Sequence, residues 1–185
     1  MLGHGGRDER TNFQAREDDA VKPTPENPSV TVRPVRMGDE IGLQASCFAA
    51  MTVEQVRAEV VLEGLERASR TSFVVLVAER EGEIVGSLTL VQPDHILTRH
   101  RVGVAGFVVA ARARGTGMAR RLIDEAADWA RRWGGTMLEI SCRGGTHAEE
   151  AYRGLGFIEW GRLPQGLIEH DGAAFDDVHF YRPLA

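Results

Sequence analysis

Lysine is almost missing from this 185-residue chain: of its 22 basic residues only Lys22 is a lysine, and the rest are arginines. That skew follows GC-rich coding, so arginine abundance by itself does not argue for an anionic partner. Cysteine is scarce too. Cys47 and Cys142 stand far apart, which speaks against a disulfide-stapled secreted domain and for two thiols in a reducing compartment. Aromatic residues make up 6%, and no basic segment carries interleaved aromatics, which argues against nucleic-acid substrates. No apolar run is long enough to span a bilayer, and the first residues lack the apolar core of a signal peptide. The expected setting is therefore cytoplasmic, with no membrane partner. The six histidines form no ligand-spaced pairs with Cys or Asp, so no metal is expected. A net charge of -5 is ordinary for a soluble domain.

What is present suffices for one packed domain, with 43% hydrophobic residues. Residues 1–29 are polar, carry glycine and proline, and hold few large apolar side chains; they are expected to form a flexible tail. The folded domain is expected over 30–185. Its reading starts with a strand at 30–35 and two helices within 38–50 and 52–70, where Thr52 and Gln55 form a capping box. Three strands follow at 72–80, 83–92 and 100–110, the first two joined by a tight turn at 81–83. A helix over 117–133 shows one apolar stripe of Leu122, Ile123, Ala126, Trp129, Ala130 and Trp133, and Gly134 and Gly135 stop it. A strand at 136–141, a short helix over 147–156, and strands at 157–162 and 176–184 complete the chain, with a turn at His170, Asp171 and Gly172. The order β-α-α-β-β-β-α-β-α-β-β defines an α/β (α+β) fold built on a mixed sheet.

The chemistry concentrates in "ARARGTGMARR", residues 111–121. Glycine raises the entropic cost of ordering a chain, so Gly115 and Gly117 at a helix entrance mark a loop that wraps closely round something. A strand running into that loop and then into a helix is the context in which backbone N–H groups and the helix dipole hold a phosphate. Arg112 or Arg114 would add charge-assisted bonds, and the small Ala119 leaves room beside the first helical turn. A dinucleotide fingerprint would need a third glycine where Arg120 stands, and the Lys-Ser/Thr of a P-loop is missing.

The same segment resembles motif A of the GNAT superfamily of acetyl-CoA-dependent N-acetyltransferases, whose loop [Q/R]-x-x-G-x-[G/A] is matched by Arg114, Gly117 and Ala119. "AEEAYRGLGF", residues 148–157, resembles motif B and departs from it at Ala151, where a larger residue is commoner. The order of elements from Val30 onward is also similar. A weaker full-length similarity points to tabtoxin-resistance-type acetyltransferases, but that type's carboxylates would fall near Gly103 and Ser141, neither acidic.

The resemblance implies a GNAT fold: a mixed, mostly antiparallel sheet flanked by helices, with two central strands splayed apart. Phe107, Val108 and Val109 would pair with the pantetheine arm of acetyl-CoA, and one N–H of that strand would polarise the thioester carbonyl. Gly103 and Gly106 fit a strand that bulges or admits a ligand closely. The N–H groups of Arg114, Gly115, Thr116, Gly117, Met118, Ala119 and Arg120 would cradle the pyrophosphate. Tyr152 would support the departing thiolate by hydrogen bonding to sulfur.

The acceptor would be a primary amine, of a small molecule sooner than of a protein terminus. The alternative is an acyl-CoA-binding sensor or partner module of the same fold without turnover. For the base that takes the amine proton, His95, His100 and Glu139 are weak candidates; His147 would contact substrate or support its helix. Asp171, Asp176 and Asp177 would attract an amine or simply face solvent. Substrate selection is assigned to 38–70 and to the segment 163–177, expected to be a loop. Many relatives pair, which leaves a homodimer open through the C-terminal strands or the helix pair.

Overall fold

The computed structural model describes residues 30–184; the tail expected over 1–29 lies outside the described residues. Seven strands form one sheet: β1 (Val30–Pro34), β2 (Phe73–Arg80), β3 (Glu83–Val91), β4 (Arg101–Val109), β5 (Met137–Arg143), β6 (Ile158–Ile168) and β7 (Ala174–Pro183). Their spatial order is β1-β2-β3-β4-β5-β7-β6, and every pair is antiparallel except β4 with β5. The helices are α1 (Glu40–Ser46), α2 (residues 53–68), α3 (Met118–Arg132) and α4 (His147–Gly154).

The apolar run of β2 has a simple cause: both faces of the sheet are covered there, so alternation of polar and apolar residues is lost. Val74, Leu76 and Ala78 belong to a core shared with α3, while Phe73, Val75 and Val77 pack with Leu43, Val56 and Val61 of α1 and α2. In α3 the expected stripe buries Leu122, Ile123, Ala126 and Ala130 completely, with Trp129 and Trp133 half-buried at its edge. The helix ends as its glycines require: Gly134 has φ +78°, and Gly135 N–H donates to the Ala130 carbonyl at 2.8 Å. At α2 the capping box forms in both directions, Gln55 N–H to the Thr52 hydroxyl at 3.2 Å and Thr52 N–H to the Gln55 side chain at 2.8 Å.

Four local features depart from the sequence reading. The middle of α2, Val56–Leu62, winds as a π-helix, a wider turn that is uncommon and frequent near functional sites. The first helix is shorter than 38–50, and the strand at 100–110 is trimmed to Arg101–Val109. The segment 163–177 is not a loop: most of it lies in β6 and β7, which form a long hairpin through the expected turn, where Glu169 N–H donates to the Ala173 carbonyl. Glycine, proline and acidic residues masked it, because edge strands tolerate them at irregular register.

Candidate active site

The decisive geometry lies between β4 and β5. The two strands pair in parallel only from Arg101–Met137 to Gly103–Glu139; beyond Gly103 they part, while β5 stays registered with β7 as far as Arg143. The part of β4 beyond Gly103 is also bulged. Its register with β3 shifts between Ser87 and Thr89, and Gly106 takes φ +56°, a conformation costly for a residue with a Cβ. A strand that leaves its neighbour exposes backbone donors and acceptors along the freed edge.

On the α3/α4 side a cavity of about 580 Å³ opens along this edge. Phe107, Val108 and Val109 form one wall, and Arg114, Gly115 and Gly117 another. Met118, Ala119 and Arg120 of the first turn of α3 close the end, and His147, Ala151 and Tyr152 of α4 face them. Nine of the ten sequence-assigned binding residues, with Tyr152, therefore line one cavity. Thr116 is the exception: its hydroxyl donates to the Ala113 carbonyl at 2.7 Å and ties the loop to itself.

Gly115 and Gly117 have φ +75° and +81°, so the loop needs both glycines for its turn. With Gly117 as N-cap of α3, the N–H groups of the first turn have no partner within the helix and point along its axis. Of the two arginines considered for charge-assisted bonds, Arg114 lines the cavity and its Nε donates to the Val109 carbonyl at 3.3 Å. Arg112 does not. Its guanidinium turns to the opposite side, donating to Ser46, Glu83 and the Ile84 carbonyl, because the 3-10 turn Ala111–Ala113 points consecutive side chains apart.

Tyr152 is held by rings. It stacks on Phe107 with centroids 6.2 Å apart and meets Phe180 edge-on at 5.7 Å and Phe157 at 6.1 Å. Burial, and secondarily the nearby Cys142 thiol, pushes its phenol up to about 12. The phenol is thus a protonated donor throughout the neutral range. Cys142 is itself pushed up, mainly by burial.

The other sequence candidates scatter. His95 lies in an exposed turn, its Nδ1 accepting from Leu97 N–H, and the exposed His100 precedes β4. Glu139 is engaged by Arg101 at 2.8 Å across the paired end of β4 and β5. Asp171 caps its turn by accepting from Ala173 N–H, and Asp176 accepts from Gln165 N–H. Asp177 instead pairs with His179, Oδ2 to Nε2 2.9 Å. His179 lines a second cavity of about 360 Å³ with Arg101, Val104, Glu139, Ser141 and Trp160. No local pattern in the sequence singles out His179; it reaches this place because β7 pairs with β5, setting it opposite Ser141. Among the described residues no cluster of three or more His, Cys, Asp or Glu side chains is placed to hold a metal ion, and no helix is long and apolar enough to cross a membrane.

A parted parallel strand pair, a glycine turn capping the helix that follows, and a tyrosine on the next helix stand together on one mixed α/β fold. The chain belongs to the acetyltransferase (GNAT) family, whose model matches residues 44–157, more than half of its length. Among solved structures it is similar to a ribosomal-protein-alanine N-acetyltransferase from Brucella melitensis, with 28% identity, 83% of this chain and 99% of that one covered, and a TM-score of 0.66. It is also similar in fold to a GNAT-family acetyltransferase from Streptococcus pneumoniae, at 19% identity with 84% and 99% covered and a TM-score of 0.68. The acetyltransferase-family protein yncA from Salmonella typhimurium, solved with its cofactor acetyl-CoA, gives 19% identity, 84% and 94% coverage and a TM-score of 0.65. No curated protein matches the chain by sequence.

Proposed function

We propose that this chain transfers an acetyl group from acetyl-CoA to a primary amine by direct attack on the thioester. The observation that carries the reading is the parting of β4 from β5 at Gly103, beside a cavity that joins the freed β4 edge, the glycine loop and Tyr152. In this reading the edge at Phe107–Val109 pairs with the pantetheine amides, and one N–H there stabilises the charge that develops on the carbonyl oxygen. The first-turn N–H groups of α3 and the loop take the pyrophosphate, and Arg114 adds positive charge at the mouth.

Tyr152 holds the sulfur end. With its phenol at about 12 and a free thiol near 8.5, full proton transfer to the thiolate would be uphill by roughly 5 kcal/mol. Its role is therefore a hydrogen bond that strengthens as charge builds on sulfur, with the final proton arriving from solvent. The acceptor is assigned to the small-molecule amines first and to protein N-termini second. The similar structures include a spermidine acetyltransferase chimera and a phosphinothricin N-acetyltransferase as well as the alanine N-acetyltransferase, so those three amines make the natural panel.

The test is a melting curve with and without acetyl-CoA, followed by CoA-thiol release with spermidine, phosphinothricin and an alanine-terminated peptide. At a 100-fold excess over Kd a ligand adds about 2.7 kcal/mol, which for this size raises the midpoint by roughly 5–11 °C. No shift at saturating ligand would refute the acetyl-CoA reading. A shift without CoA release from any amine would leave a binding module in its place.

A further inference from the structure

The sequence offered no convincing group to take the proton from the attacking amine, and the structure supplies one from an unexpected strand. In the register of β5 with β7, Glu139 stands opposite Tyr181, Ser141 opposite His179 and Arg143 opposite Asp177. Cross-strand partners share a face and residues alternate along a strand, so these six side chains lie on one face of the sheet. Val178 and Phe180 between them pack into the α3 core on the opposite face. His179 therefore lies across the sheet from the cavity that holds Tyr152, and Val104, the first residue of β4 beyond the paired stretch, lines the second cavity with it.

We propose that His179, oriented by Asp177, is the base that accepts the proton of the acceptor amine in the second cavity; this rests on the acetyl-transfer reading. Asp177 Oδ2 lies 2.9 Å from His179 Nε2, and because a carboxylate only accepts hydrogen bonds the ring hydrogen is assigned to Nε2 in this proposal. The neutral ring then carries its lone pair on Nδ1, the form able to take a proton. The other carboxylate oxygen, Asp177 Oδ1, is buried and has no hydrogen-bond partner among the described residues. That oxygen is thus not engaged elsewhere.

Trp160, with its ring 5.4 Å from the imidazole, gives the ring an apolar neighbour that restricts its motion. Other charged groups beside them are Arg101, which pairs with Glu139, and Arg143, which pairs with Glu169. Glu139 is the rival base in the same cavity, and its carboxylate is already engaged by Arg101.

The proton balance is closed. The acceptor enters as the ammonium and gives one proton to His179 Nδ1. The freed nitrogen then bonds to the acetyl carbon and loses its second proton to solvent, and the carbon–sulfur bond breaks with its electron pair leaving on sulfur. The thiolate is then protonated, giving amide and CoA thiol. Asp177 touches no reacting atom and is a positioning residue.

The experiment compares the parent with His179→Gln, using saturating acetyl-CoA and two probes: benzylamine, mostly protonated at neutral pH, and methoxyamine, a neutral nucleophile there. CoA release is read above the uncatalysed rate. Expected is a loss of about 100-fold with benzylamine, an almost unchanged rate with methoxyamine, and an unchanged melting shift with acetyl-CoA. Equal losses with both probes, or no loss with benzylamine, would overturn the assignment. A parent that shows the acetyl-CoA shift but releases CoA with neither probe nor any amine of the panel above overturns both the base and the transferase reading. Independently of turnover, ¹⁵N spectra of the His179 ring are expected to show hydrogen on Nε2 in the parent and a changed tautomer mixture in Asp177→Asn, with kcat reduced and KM for acetyl-CoA unchanged. A parent ring protonated on Nδ1 alone would refute the arrangement.

Discussion

The two faces of the sheet around the β4–β5 gap are built by different means. On the α3/α4 side the cavity draws on two stretches of consecutive residues, 107–120 and 147–155. Its parts are backbone geometry: a bulged strand edge, two glycines at positive φ and a helix N-terminus. On the other side the second cavity gathers Arg101, Glu139, Trp160 and His179 from four strands, and its parts are side chains. A group such as pyrophosphate, common to many reactions, can be held by main chain that tolerates varied side chains. An acceptor must be distinguished by side chains, which a fold can supply from anywhere in the sequence.

The contrast can be broken at several points. The largest effect is expected from the core beneath the loop. Leu122 is fully buried against the sheet, and Leu122→Ala is expected to lose about 2–5 kcal/mol, read by denaturant unfolding. A cost below 1 kcal/mol would mean that α3 is not the rigid support described.

Gly117→Glu comes next. At φ +81° a side chain is strained, and its charge would oppose the pyrophosphate proposed for this loop. The acetyl-CoA melting shift, worth about 2.7 kcal/mol at a 100-fold excess over Kd, should vanish while the ligand-free midpoint falls far less. A retained shift would remove the loop from the pyrophosphate site.

Tyr152→Phe keeps the ring packing and deletes the donor. Its kcat is expected to drop by about 100-fold with the melting shift intact, and unchanged turnover would dismiss the tyrosine. The phenol also makes a pH prediction. Its folded value, about 12, lies above the unfolded value near 10, so its contribution to stability is complete below pH 10 and declines as pH rises toward 12. Alkaline unfolding of the parent should therefore be steeper with pH there than that of Tyr152→Phe.

The smallest effect lies on the α1/α2 face of the sheet. Thr52→Ala deletes the cap of α2 and should cost about 1 kcal/mol, leaving the acetyl-CoA shift untouched. A change in that shift would show that the two halves are coupled.

Much of the α3/α4 half was legible because its cues are local. The stripe from Leu122 to Trp133 follows from helical period, the stop at Gly134 from its positive φ, and the site loop from glycines immediately before a helix. The choice between Arg112 and Arg114 stayed open for want of a side-chain direction: the 3-10 turn sends Arg112 toward Ser46 and Glu83, and Arg114 lines the cavity. The hairpin of β6 and β7 was hidden by Pro164, Gly166 and the acidic residues near its turn, which suit an edge strand as well as a loop.

The sequence by itself determined most element types, the fold family and the glycines of the loop, since hydrophobic period, turn chemistry and a contiguous motif act over a few residues. Only the tertiary structure decided that β4 leaves β5 at Gly103, that Tyr152 stacks on Phe107, and that Asp177 and His179 stand beside Ser141. Those outcomes depend on strand order and register. A parallel pairing reached through α3 and an antiparallel pairing across 38 positions are set by the packing of the whole sheet, and no window of local sequence contains them.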